Sequence, residues 1–204
     1  MHMPWETEEM EQDIETTERH GPRSRAVAGR FDQISIAFHW LSVALVTEQI
    51  TTALLLGRGI PNSAVLLEMH RSMGTLTWVV VATRLIWRHC FAYLPPFPKS
   101  MLRFQQQIAK LNEYGLYVLL LLQPLTGLAM MLFRGRPFAL FFWEVPAPLS
   151  RDSAVSSFFL FAHRVGARGL LALIGLHAAA ALLHAFVLRD GVLQRMLPWT
   201  PRSD

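Results

Sequence analysis

The chain has one cysteine, Cys90, in 204 residues, so no intrachain disulfide can brace it. Cys90 reads as a small apolar residue at a helix end. Charge is also scarce: 17% of residues are charged against 52% hydrophobic, a balance that excludes an ordinary soluble domain. Acidic residues are nearly missing from the body. Seven of the 15 (Glu6, Glu8, Glu9, Glu11, Asp13, Glu15 and Glu18) precede the first basic residue. From Arg19 onward 19 basic residues face 8 acidic ones. The acidic start lacks the basic region and apolar core of a signal peptide. Residues 1–29 are expected to form a disordered cytoplasmic tail in which His2 and His20 are not ligands.

What remains is long apolar segments. Four are long enough to cross a hydrocarbon core of ~30 Å, which takes ~20 helical residues. They run approximately over Ile34–Leu56, Val65–Trp87, Leu111–Phe133 and Phe158–Leu188. The expected organisation is one membrane domain over 30–198, an all-α four-helix transmembrane bundle, followed by a short tail over 199–204. Eleven basic residues fall on the side of the termini: Arg19, Arg23, Arg25, Arg30, Arg88, Lys99, Arg103, Lys110, Arg189, Arg195 and Arg202. Arg58, Arg71, Arg134, Arg136 and Arg151 fall on the other. The positive-inside bias puts both termini in the cytoplasm.

Four histidines sit within these apolar segments, at 39, 70, 163 and 177. Any one alone suits a satisfied core residue; together they form a pattern. His163 and His177 are 14 residues apart, which on a helix is ~1400° of turn, within ~40° of whole turns, and a rise of ~21 Å. One helix thus directs two imidazoles the same way at two depths. Ionisable groups in a membrane span are costly and usually functional. With helices alternating in direction, His39 shares the inner level with His177, and His70 shares the outer level with His163. Two imidazoles per level suit bis-histidine haem, and saturating the iron favours electron transfer over dioxygen binding. No Cys-x-x-Cys-His segment offers covalent attachment, so the expected cofactors are two haem b groups held by ligation and packing.

Other residues fit around these levels. Gly74, one turn after His70, would admit a flat macrocycle close to the backbone, or simply a neighbouring helix. Arg84, 14 residues after His70, faces the same way at the inner level and is placed to pair with a haem propionate or to snorkel. His184, seven residues after His177, is a candidate to hydrogen-bond a quinone head group or a haem propionate, or simply to sit at the interface. His89 reads as interfacial, and Glu48 with Gln49 as a proton-transfer group or cavity lining. Pro124 and Gly127 mark the third helix, which has no histidine, as a kinked wall. The connection over 134–156, rich in Phe, Pro and Trp143, suits a segment lying in the membrane interface as a lid over the outer level.

The segments "IAFHWL", "MHRSMGTLTWVVVATRLIWR", "PLTGLAMMLFRGRPFALF" and "LIGLHAAAALLHAFVLRDGVLQRMLP" resemble the bacterial cytochrome b561 family, over about Gly29 to Pro198. The likeness is to its small four-helix di-haem members, superoxide oxidases among them. The resemblance implies His39, His70, His163 and His177 as axial ligands and a quinone or haem-edge role for His184. It also implies an inner-membrane protein that takes electrons from superoxide at the periplasmic face and passes them to ubiquinone. The chain departs from such relatives at His163-Arg164, at His184-Ala185, over Lys110 to Tyr114, and in its acidic start. Arg71, Arg134, Arg136, Arg151, Arg164 and Arg168 are candidates for steering an anion such as superoxide to the outer level. A second reading is a haem b membrane anchor that delivers electrons from a partner dehydrogenase or hydrogenase subunit to quinone. A third, divalent-metal transport, lacks the carboxylate ligands hard cations favour. Expected partners are the lipid bilayer, ubiquinone, superoxide and a redox subunit, not nucleic acid.

Overall fold

The computed structural model describes residues 29–59, 63–98, 101–147 and 149–198. Of the expected tail over 1–29 all but Gly29 lies outside the described residues, as do the tail over 199–204, Lys99 and, within those tails, His2, His20 and Arg202. Four long helices make the bundle: α1 (Gln33–Gly57), α2 (Ser63–Cys90), α3 (Arg103–Leu132) and α4 (Ser153–Leu183). All four start before their expected positions, because polar residues outside the apolar stretch still extend the helix. Asp32 caps α1 by accepting from the Ser35 amide at 2.8 Å, and Asp152 caps α4 by accepting from the Val155 amide at 3.0 Å. α3 begins where the Leu102 amide donates to Gln105 Oε1 at 2.9 Å.

By length and hydropathy α1, α3 and α4 suffice to cross a membrane. α2, at 28 residues, has the length but not the uniform apolarity expected of it. The reason lies in its neighbours: Ser72, Gly74 and Thr77 are buried against other helices rather than facing lipid. Its hydroxyls bond backward along the helix, Thr75 to Arg71 O at 3.1 Å and Thr77 to Met73 O at 2.7 Å. α1 packs along α2, α3 along α4, and α2 joins the two pairs by packing on α3. α4 meets α1 and α2 chiefly through side chains reaching across the bundle.

The connection from α3 to α4, expected to be a segment lying in the membrane interface, is not helical. It forms a two-stranded antiparallel hairpin, β1 (Phe138–Leu140) with β2 (Trp143–Val145), in which Leu140 faces Trp143. Phe141 takes the left-handed conformation at φ 54° in the tight turn, and its amide donates to Ser72 Oγ at 2.6 Å, pinning the hairpin to α2. Phe142 and Trp143 project outward almost fully exposed, as interfacial anchors do.

The opposite end is closed by the chain's last described segment. α4 does not run on to Leu188 as one regular helix, as expected; it changes to a π-helical turn over His184–Leu188, then a reversal and a 3₁₀ turn over Leu193–Met196. From there Met196 O accepts from Trp40 Nε1 at 2.8 Å, Leu197 O accepts from Arg30, and Arg195 donates to Pro96 O at 2.7 Å. Asp32 ties the same end together by also accepting from Trp87 Nε1 at 3.2 Å.

Candidate haem-binding centre

Two pairs of imidazoles face each other between the helices, His177 being the most exposed of the four. His39 on α1 and His177 on α4 have ring centres 6.3 Å apart; His70 on α2 and His163 on α4 also stand at 6.3 Å. That spacing has a chemical meaning. Two imidazoles on opposite sides of one metal, each nitrogen about 2.0 Å from it and about 1.1 Å from its own ring centre, put the centres about 6.2 Å apart. Among the described residues no three His, Cys, Asp or Glu side chains converge as a cage for a bare cation. Two imidazoles at each level would hold an iron whose remaining donors a macrocycle supplies. The residues present therefore fit haem b, with α4 reaching its partners across the gap the paired rings span.

The outer nitrogens of the rings are held by the protein. His163 Nδ1 lies 3.0 Å from the Gln123 carbonyl, which can only accept, so Nδ1 carries the proton and Nε2 keeps its lone pair. Gln123 Nε2 in turn donates to His163 O at 3.1 Å, and Thr126 Oγ1 lies 3.1 Å from the same Nδ1. On the other side, Thr52 Oγ1 is 2.9 Å from His70 Nδ1 while its own proton is directed to Glu48 O at 3.0 Å. Thr52 therefore accepts, and His70 Nε2 is likewise free. Sequence reasoning missed Thr52, Gln123 and Thr126; their signal was polar side chains within otherwise apolar spans.

At the other pair the environment is cationic. Arg84 Nη2 lies 3.3 Å from His39 Nδ1, and its guanidinium stands over the Tyr117 ring at 5.6 Å. Trp40 packs edge-on to His39 at 5.6 Å. Gly74 is buried where a Cβ would meet Gln49 Oε1 at 3.3 Å, so its small size serves the α1–α2 contact. Gly127, expected as part of a kink, lies against the ring of His163, with a Cβ position 3.4 Å from Cε1. Glu48 is held by Gln49 Nε2 at 2.7 Å.

His184 is buried, and its Nδ1 donates to Asp190 Oδ2 at 2.6 Å across the π-turn. Asp190 was not singled out from sequence; only the turn brings it back onto α4. Burial would raise the Asp190 carboxyl, but the bonds from His184 and from the Val192 amide outweigh it and hold the group below the usual carboxylate range. At the hairpin end, Arg134, Arg136 and Arg151 join Phe133, Ser153 and Ser156 around a cleft of about 340 Å³. Arg71 is near enough to Arg134 to feel its charge, and its Nε is buried without a hydrogen-bond partner among the described residues. Arg164 and Arg168 do not line that cleft; they are exposed along α4.

A model of the prokaryotic cytochrome b561 family matches residues 30–199. The chain belongs to this family. Among its relatives, cytochrome b561 homolog 1 of Escherichia coli K12 is 29% identical over 175 residues, covering 83% of this chain and 97% of the relative. Homolog 2 of the same organism is 30% identical over 174 residues, covering 82% and 91%. A protein of Yersinia pestis named probable superoxide oxidase CybB is 28% identical over 170 residues, covering 83% and 96%. As a member of the cytochrome b561 family the protein is a transmembrane helical bundle that binds haem b and carries electrons in a bacterial membrane.

Proposed function

We propose that the protein oxidises superoxide to dioxygen at the hairpin end, on the periplasmic side of the inner membrane, and delivers the electrons to ubiquinone. The hairpin end is periplasmic and the termini cytoplasmic by the distribution of basic residues between the loops. His70 with His163 and His39 with His177 would each hold one haem b, the group that supplies one-electron transfer when bound. Arg84 would pair with a propionate at the inner level. Balance requires two superoxide anions, each losing one electron to leave dioxygen, for every ubiquinone that gains two electrons and two protons. His184, with Asp190 fixing its ring, is the candidate to hold a proton against a quinone oxygen.

The observation that carries the choice of substrate is the arginine cleft. Arg134, Arg136 and Arg151 line one concavity, with Arg71 beside them, at the end where His70 and His163 sit. Arg164 and Arg168 would add to the field rather than to the cleft. Such a cluster attracts a small anion over about a Debye length, ~8 Å at physiological salt. The name carried by the Yersinia relative points the same way. Reduction of the purified protein by a superoxide generator should slow as salt rises, and slow again in Arg134→Gln with Arg151→Gln, while the absorbance spectrum is preserved. Fast reduction that ignores both salt and the arginines contradicts steering. Reduction by quinol but not superoxide would instead favour the membrane-anchor role beside a partner subunit.

A further inference from the structure

We propose that Asn112 is the positioning residue for His177: once the inner pair holds its haem, the Asn112 side-chain oxygen accepts the ring N–H of His177, as Thr126 Oγ1 stands at that of His163, a bond not made in this structure. The proposal rests on the reading of the two histidine pairs as axial ligands. It comes from the register of α3 against α4. Thr126 and Gln123 bond His163, the side chain of Gln123 faces Gly166, Leu119 faces Gly169, and Leu173 faces Gly115. Each step back along α3 is thus matched by a step forward along α4. Asn112 lies 14 residues before Thr126, and His177 lies 14 residues after His163. The same antiparallel register therefore sets Asn112 opposite His177, four turns from the contact it repeats.

Two further observations meet at that point. Asn112 is 6% exposed, and its Oδ1 is buried with no hydrogen-bond partner among the described residues. A buried amide oxygen left so is costly and calls for a donor. His70 and His163 each have an acceptor at Nδ1, Thr52 and the Gln123 carbonyl, while His39 Nδ1 faces the donor Arg84. His177 alone of the four has no hydrogen bond to a described residue. An orphan acceptor on α3 and an unheld ring nitrogen on α4 are brought to one level by one register.

An acceptor at the outer ring nitrogen makes an imidazole a stronger donor, which stabilises the oxidised metal and lowers its midpoint potential. The test is a spectroscopic redox titration of the full-length holoprotein carrying Asn112→Asp or Asn112→Leu. The inner midpoint is identified as the one lost in His177→Ala. A carboxylate accepts more strongly, so Asp should shift the inner midpoint down. Leucine accepts nothing and should shift it up, and the outer midpoint should stay in place in both. A role in packing alone would move the two variants the same way. Shifts of one sign, no shift, or equal shifts of both midpoints overturn the proposal. If the leucine variant fails to load, the aspartate variant decides by itself: a fall supports the proposal, and no change or a rise overturns it. Wild-type protein that holds a single haem would overturn the two-pair reading, and this proposal with it, before any variant is made.

Discussion

Alanine at His163 leaves His70 facing no second imidazole, while the pair formed by His39 and His177 keeps its 6.3 Å spacing. The two pairs are separated along α4 by 14 residues, a rise of ~21 Å. Substitutions more than ~7–10 Å apart with no shared partner act independently. The four single alanine variants should therefore each lose half of the haem. Same-level doubles, His70→Ala with His163→Ala or His39→Ala with His177→Ala, should lose no more than the singles. Cross-level doubles, such as His39→Ala with His70→Ala, should lose all of it. A pyridine haemochrome assay normalised to protein gives the ratio, and a reduced-minus-oxidised spectrum shows which band is gone. Matching spectral losses in His39→Ala and His70→Ala, with a different loss in the other two, would refute the assignment of rings to levels.

Three further outcomes follow from particular contacts. A Cβ on Gly166 would sit 2.5 Å from Gln123 Oε1, so Gly166→Ala should displace that side chain from His163 O; the lost bond is worth about 0.5–1.5 kcal/mol, read as easier thermal release of the outer haem only. Asp32→Ala removes the α1 cap and the bond from Trp87, and should cost about 1–2 kcal/mol in thermal stability, measured by the midpoint of unfolding in detergent. Because the Asp190 carboxyl is held low, its contact with His184 contributes stability above about pH 4, the ordinary carboxylate value, and loses it as pH falls through the native value. The difference in melting between wild type and Asp190→Asn should then close as pH is lowered from 6 to 3, and a constant difference would contradict it.

The parts of this protein legible in its sequence are those governed by helical period. The 14-residue interval from His163 to His177 and that from His70 to Arg84 translate directly into depth and direction. Hydropathy located the spans but not their ends, since Asp32 and Asp152 carry α1 and α4 past the apolar stretch. It also misjudged α2, whose polar residues are buried in the bundle rather than set against lipid. What the period could not yield depends on backbone leaving the regular helix or on contacts between helices. Asp190 reaches His184 only through the π-turn, and the hairpin depends on Phe141 accepting a left-handed conformation and bonding Ser72. Thr52, Gln123 and Thr126 gain their meaning only once the helix pairs are in register. Of the six arginines singled out together, folding brings Arg134, Arg136 and Arg151 into one cleft and leaves Arg164 and Arg168 along α4.

Passage of electrons from superoxide to quinone is the central claim, and one measurement meets it directly. The purified protein, reconstituted in liposomes with ubiquinone, is exposed to a superoxide generator while ubiquinol is followed. The account predicts one ubiquinol for every two superoxide anions consumed, abolished by His70→Ala or His163→Ala. Superoxide that is left unconsumed, with no ubiquinol formed by protein whose haem is otherwise reducible, would contradict it.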